Sequence, residues 1–159
     1  MLKGEINMFI PEIPNNSLSD EINEIVYIAK KTEHQMFFEF NQPATDDELS
    51  DLENYFNTTF PESYKDFMHF SNGANIADEY IIFFNISEVK SLQIATFPDD
   101  YIIIGKIIGD GEVLCISKKD QQFIRLFEGE ERRYINLNEF FKRPIKKIRI
   151  NAEEIIGAF

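Results

Sequence analysis

The chain has 159 residues, 43% hydrophobic and 28% charged, with only 7 Gly and 6 Pro, which excludes disordered, collagenous and low-complexity classes and predicts one domain with one sizeable core. Its 28 acidic against 16 basic residues give a formal charge of −12, which repels a phosphate backbone and argues against nucleic-acid binding, while attracting a basic partner protein. Net acidity is also an ordinary way for a protein to stay in solution, so charge alone does not define a partner.

At the N-terminus, Glu5 and Pro11 interrupt the unbroken apolar stretch that a signal peptide requires. From Ser17 to about Lys31, Leu18, Ile22, Ile25, Val26 and Ala29 recur at helical spacing, and Ser17 or Ser19 with Asp20 and Glu21 suits the start of a first helix. Met36–Asn41 is aromatic and bounded by Gln42-Pro43, which predicts a short extended segment. Thr45-Asp-Asp-Glu48 has the form of a capping box, in which the hydroxyl and the carboxylate each accept a backbone N–H. Leu49, Leu52 and Phe56 then mark one face of a helix over Asp46–Asn57. Phe60-Pro61 restarts the chain with Pro at a first helical position, Tyr64, Phe67 and Met68 repeat the stripe, and Asn72-Gly73 is expected to close this helix.

Beyond Gly73 the pattern turns to β. Glu79–Asn85, Tyr101–Ile108, Glu112–Ser117 and Gln122–Phe127 predict four strands, with a short helix capped by Ser87 between the first two, its Val89 and Leu92 facing inward. Asp110-Gly111 is the signal of a two-residue hairpin turn, and Lys118–Gln121 forms the next turn of an antiparallel meander. Asn136-Leu-Asn-Glu139 resembles a further cap before a short helix carrying Phe140 and Phe141. The order of elements gives an α+β fold, a single domain with a mostly antiparallel β-sheet packed against N-terminal and flanking helices.

Chemistry-bearing constellations are sparse. His34 and His69 have no Cys or acidic neighbours at metal-ligand spacing, so no metal or cofactor is expected. Cys115 lies within Val113–Ile116 and reads as a core thiol; as a lone cysteine it also predicts a reducing, cytoplasmic setting. The apolar runs Ile81–Phe84 and Tyr101–Ile104 fall far short of the ~20 residues that span a bilayer, so no membrane association is expected. Gly105, Gly109 and Gly111 lack the Gly-Lys-Ser/Thr that follows in a phosphate loop and fit hairpin geometry instead. Asp110 and Glu112 flank a turn and read as solvated residues, with contact to a partner as the sharper alternative. The same weighing applies to Asp78-Glu79, Asp99-Asp100 and Glu128-Gly-Glu-Glu131. Asp78, Glu79, Asp99, Asp100, Asp110 and Glu112 are therefore the candidate partner-binding residues. Lys142, Arg143, Lys146, Lys147 and Arg149 form the one basic cluster, expected to pair with the protein's own acids or line an interface while Ile145, Ile148 and Ile150 pack inward.

The stretch from Pro43 to Ala74, through Glu48, Leu49, Leu52, Glu53, Phe60, Pro61, Tyr64, Lys65, Phe67, Met68, Asn72 and Gly73, resembles the signature of the SMI1/KNR4 (SUKH) family. Ile104-Gly105 with Gly109-Asp-Gly-Glu112 resembles its second block, and Leu137–Phe141 its closing helix, so the resemblance runs over about residues 20–141 and leaves the basic tail from Lys142 outside it. The resemblance implies an α+β fold and, in bacteria, an immunity protein that neutralises a cognate polymorphic toxin, often a nuclease. Its other implication is a scaffold or regulatory adaptor linked to cell-wall synthesis. The motif brings no catalytic residue, and Thr45, Glu48, Pro61, Tyr64, Asn72, Gly73, Gly105 and Gly111 match it as structural punctuation.

Overall fold

The computed structural model describes residues 8–95, 97–108 and 111–159. Among the described residues seven strands pair in chain order, every pairing antiparallel, so the sheet is one continuous meander. They are β1 (Glu39–Phe40), β2 (Ala74–Ile76), β3 (Ile81–Phe83), β4 (Tyr101–Ile107), β5 (Glu112–Ser117), β6 (Phe123–Phe127) and β7 (Glu130–Tyr134). The described helices are α1 (Ser19–Thr32), α2 (Asp46–Phe56), α3 (Glu62–Met68), α4 (Ile86–Ser91) and α5 (Leu137–Ile156). The α+β fold with a mainly antiparallel sheet and flanking helices stands as expected from the sequence.

The helices form where local caps and apolar stripes agree. In α2, Thr45 Oγ1 accepts the Glu48 N–H at 3.1 Å and Glu48 Oε1 accepts the Thr45 N–H at 2.9 Å, completing the capping box. Helix α1 begins after Leu18 rather than on a serine cap; the Ser17 hydroxyl instead donates to the Asp66 carboxylate in α3, and the Leu18 N–H is taken by Asn16 Oδ1 at 2.9 Å. Pro61 stands one place before α3, in extended geometry, and α3 ends at Met68 with His69 as its C-cap. Gly73 therefore does not close a helix. Its φ of +79° turns the chain into β2, and a Cβ there would lie 2.6 Å from the Asn85 backbone nitrogen, so close backbone approach requires glycine. Asn72 completes this corner, its Oδ1 accepting the Ile86 N–H at 2.9 Å.

The β region is finer than the sequence indicates. The expected Glu79–Asn85 strand contracts to β3, because Ala77, Asp78 and Glu79 all take positive φ in the turn that follows β2. Asn85, not Ser87, caps α4, pairing reciprocally with Glu88; the resulting phase buries Val89 and leaves Leu92 exposed. Between β4 and β5, Ile107 pairs with Glu112, so four residues connect them in place of a two-residue turn. Gly111 takes φ +67° there, whereas Gly109 and Asp110 lie outside the described residues. The register slips between Ile103 and Gly105, and a Cβ on Gly105 would sit 2.3 Å from the Ile82 carbonyl oxygen. This bulge needs a glycine because strand β3 approaches its backbone directly.

Helix α5 is the largest departure. It runs for 20 residues from an Asn136 cap, where a short helix was expected, and carries Pro144 in its interior. Phe140, Phe141, Pro144, Ile148 and Ala152 are buried, and packing on α1 sustains the helix past the proline. Ile150 faces outward and Ile145 is only partly covered, against the expectation that both pack inward. Phe67, Phe83 and Phe141 meet at the centre, with the Phe67 and Phe83 rings stacked at 4.4 Å, so α3 and α5 close over one face of the sheet.

Candidate functional site

Strand alternation assigns the two sheet faces. On β6, Phe123 and Arg125 turn toward the helices, with the Arg125 guanidinium 5.9 Å from the Phe140 ring centre, while Ile124 and Leu126 turn away. Register then places Lys106, Val113, Leu126 and Glu131 in one row across the far face, taken from β4, β5, β6 and β7. Val113 and Leu126 in this row are partly buried. They form the floor of a groove of about 490 Å³, with Glu131 on its rim, Phe97 and Pro98 of the α4–β4 connection as one wall, and Phe127 of β6 with Glu128 and Gly129 of the β6–β7 turn at its end.

The groove is apolar in its floor and ionic on its rim. Tyr101 bridges the two parts: its hydroxyl donates to Glu131 Oε1 at 2.5 Å and accepts from Arg133 Nη2 at 2.8 Å, while Arg133 Nη1 donates to Asp120 Oδ2 at 2.8 Å. The hydrogen bond to Glu131 is the main cause that raises the Tyr101 pKa above the ordinary phenol value. The wall is fixed by Gln93. Its Oε1 accepts the Ile103 N–H and its Nε2 donates to the Ile103 carbonyl, both at 2.9 Å, so one side-chain amide replaces the strand partner that β3 is too short to supply.

The six candidate acidic residues do not converge. Asp99 and Asp100 adjoin the wall between Pro98 and Tyr101; Asp99 is exposed, and Asp100 Oδ2 lies 3.7 Å from Lys119 Nζ. Asp110 lies outside the described residues. Asp78 and Glu79 occupy the β2–β3 turn away from the groove, where Asp78 Oδ1 accepts the Phe37 N–H at 2.8 Å. Glu112 is no solvated turn residue: its side chain is 11% exposed and paired to Arg125, itself 5% exposed, with Arg125 Nε donating to Oε1 at 2.6 Å. Burial pulls the Arg125 pKa down, but the bond and charge of Glu112 outweigh it and hold the guanidinium above its ordinary value. Glu128 and Glu131, read from sequence as ordinary loop residues, are the acids that line the groove.

The chemistry-bearing side chains outside the groove are built into the framework. Cys115 is fully buried, and burial, with a contribution from Glu131, pushes its thiol up to about 12. His69 Nε2 lies 2.8 Å from Asp46 Oδ1, joining the end of α3 to the start of α2. The Tyr64 hydroxyl is buried without a hydrogen-bond partner among the described residues, and burial raises its pKa. Within the basic cluster, Lys142 pairs with Glu139 and Arg149 with Glu24, as expected of ions that meet the protein's own acids. Among the described residues no group of three or more His, Cys, Asp or Glu is placed to hold a metal, and no helix is long and apolar enough to cross a membrane.

The protein is thus an α+β fold with α3 and α5 over one face of an antiparallel sheet and a partly apolar groove over β4–β7. The profile of the SMI1 / KNR4 family (SUKH-1) matches residues 43–143, well over half of the chain, and the protein belongs to that family. The match takes in α2 and α3, the entire sheet from β2 onward and the first turns of α5, including Lys142 and Arg143. The chain is also similar to a Bacillus subtilis (strain 168) protein described as "Uncharacterized protein YnaB", 34% identical over 68 residues. That likeness covers 43% of this chain and 47% of the relative, so the chain matches about half of the relative's length.

Proposed function

We propose that this protein is a non-catalytic, cytoplasmic immunity protein that binds and neutralises a cognate toxin through the groove over β4–β7. The observation that carries the reading is the groove itself, lined by Tyr101, Val113, Leu126 and Phe127 and rimmed by Glu128 and Glu131. Membership of a family associated with toxin-binding immunity proteins supports it. Apolar and aromatic side chains at the centre supply contact area, and acidic residues around them steer a basic partner and reject acidic ones. The formal charge of −12 acts in the same direction over longer distances. Inhibition then follows from occlusion: a toxin that acts on an anionic substrate such as nucleic acid presents a basic groove, and an acid-rimmed surface competes for it.

Asp99 and Asp100, at the wall, belong to this rim in the proposal, whereas Asp78, Glu79 and Glu112 do not. The test is co-expression with the toxin encoded beside the gene. Growth restored by the wild-type chain and lost with a Leu126→Glu variant that still folds supports the reading. Equal killing with and without the wild-type chain contradicts it. Capture of several resident proteins and no toxin would point to the adaptor role instead.

A further inference from the structure

A second concavity lies on the helix side of the sheet, a cleft of about 520 Å³ between α5 and the strands that carry Glu112, Arg125 and Arg132. Arg143, Lys146 and Ile150 reach it from one face of α5 at spacings of three and four residues, and Arg132 reaches it from β7. Register sets Arg132 directly opposite Arg125, and like charges facing each other across a strand pair are destabilising. Glu112 neutralises Arg125 at the cleft floor. Arg132, Arg143 and Lys146, in contrast, take part in no ion pair among the described residues, although the protein carries 28 acidic side chains and the neighbouring Lys142 and Arg149 on the same helix both find one. Phe127, 41% exposed, and Ile150, 56% exposed, give the cleft apolar walls.

We propose that this cleft is an anion site that binds a pyrophosphate group. Two guanidinium forks approaching from different elements match the oxygens of adjacent phosphates, and the Lys146 ammonium adds a point charge. A lone carboxylate balances only one of the three uncompensated cations; a pyrophosphate group balances two or three. The volume falls within the range of small-ligand pockets, and the apolar walls accommodate an organic body attached to the phosphates. The group reaches the site from either of two sources, free inorganic pyrophosphate or a nucleoside diphosphate.

The experiment is titration of the full chain with inorganic pyrophosphate, ADP and a hexaglutamate peptide at moderate salt, read by calorimetry and by the thermal midpoint. Pyrophosphate and ADP are expected to bind and raise the midpoint, and hexaglutamate is not. Tighter binding of ADP assigns the source to a nucleotide seated on the apolar walls, and equal or tighter binding of pyrophosphate assigns it to the inorganic ion; either order supports the site. The double variant Arg143→Gln, Lys146→Gln should weaken binding by on the order of tenfold or more. Lys142→Gln, on the same helix but paired to Glu139, should leave it unchanged. Unliganded midpoints of both variants check that they fold. No response to either phosphate compound at millimolar concentration overturns the proposal. Hexaglutamate binding as tightly, or an equal loss in Lys142→Gln, also overturns it, because the effect is then one of general charge.

Discussion

Removal of the Glu112 carboxylate is expected to be among the most costly single changes in this protein. The Arg125 side chain is 5% exposed and lies against the Phe140 ring, and Glu112 meets it through both Nε and Nη2. In Glu112→Gln the guanidinium keeps its charge and its burial but loses its counter-charge. Breaking a buried pair from one side costs about 3–5 kcal/mol, and because the amide retains one acceptor oxygen, the lower end, about 3 kcal/mol, is expected. Against the 5–15 kcal/mol that holds a typical domain together, this is a large fraction. The double variant Glu112→Leu, Arg125→Met removes both charges and refills the space, and should return to within about 1 kcal/mol of wild type, since apolar replacement of a buried pair is often neutral or better. Urea unfolding of the four proteins in the cycle gives the coupling directly. A Glu112→Gln cost below about 0.5 kcal/mol, the range of a surface change, would refute the buried-pair reasoning. Additive single and double effects would refute it as well.

Gly105→Ala should destabilise the sheet by about 3 kcal/mol, since its Cβ would lie 2.3 Å from the Ile82 carbonyl oxygen and backbone cannot give way as a side chain does; chemical denaturation measures it, and a neutral substitution would contradict the bulge geometry. Thr45→Ala should cost about 1 kcal/mol by undoing one half of the capping box in α2, with Glu48→Ala acting on the other half. Cys115 should resist alkylation in the folded protein at pH 8 and react only on unfolding, because its thiol is pushed up to about 12. The same shift sets a sign for stability. Between the ordinary thiol value of 9.0 and about 12 the unfolded chain releases a proton that the folded chain keeps, so stability falls as pH rises from 9. Tyr64 adds to this above its ordinary value of 10.0. Between pH 9 and 10 the slope should therefore flatten in Cys115→Ala, and an unchanged slope would contradict burial of the thiol.

The parts of the fold legible in the sequence are those specified by neighbours in the chain. The Thr45–Glu48 box spans one helical turn, and α2 follows its expected bounds to within a residue. Strand β5 and the Lys118–Gln121 turn also follow, because the contiguous apolar run Val113–Ile116 is followed directly by a polar Lys-Lys-Asp-Gln turn. Ala74–Ile76 is too short to show a period, and β7 reads Glu-Glu-Arg-Arg-Tyr, an edge strand whose charges discourage pairing with another chain and also hide its β character. Pro144 signals a helix end, yet α5 continues because Ile148 and Ala152 are held against α1, a tertiary effect with no local trace. The candidate groove was hidden for a related reason. Tyr101 and Glu131 are 30 positions apart, and only strand register brings them within 2.5 Å. Glu112 shows the converse, since a carboxylate next to a turn looks solvated until the partner strand places Arg125 over it.

The central claim is that the acid-rimmed groove, and no other acidic surface, receives a basic toxin. The most direct test is the affinity of the purified chain for the toxin encoded beside it, measured for wild type, for Asp99→Lys with Glu128→Lys at the groove, and for Asp78→Lys with Glu79→Lys on the β2–β3 turn. The account predicts a one-to-one complex, weakened at least about tenfold by the groove pair and more at low salt than at high, with the turn pair close to wild type. Equal affinity for the groove variant, or an equal loss in the turn variant, would contradict it.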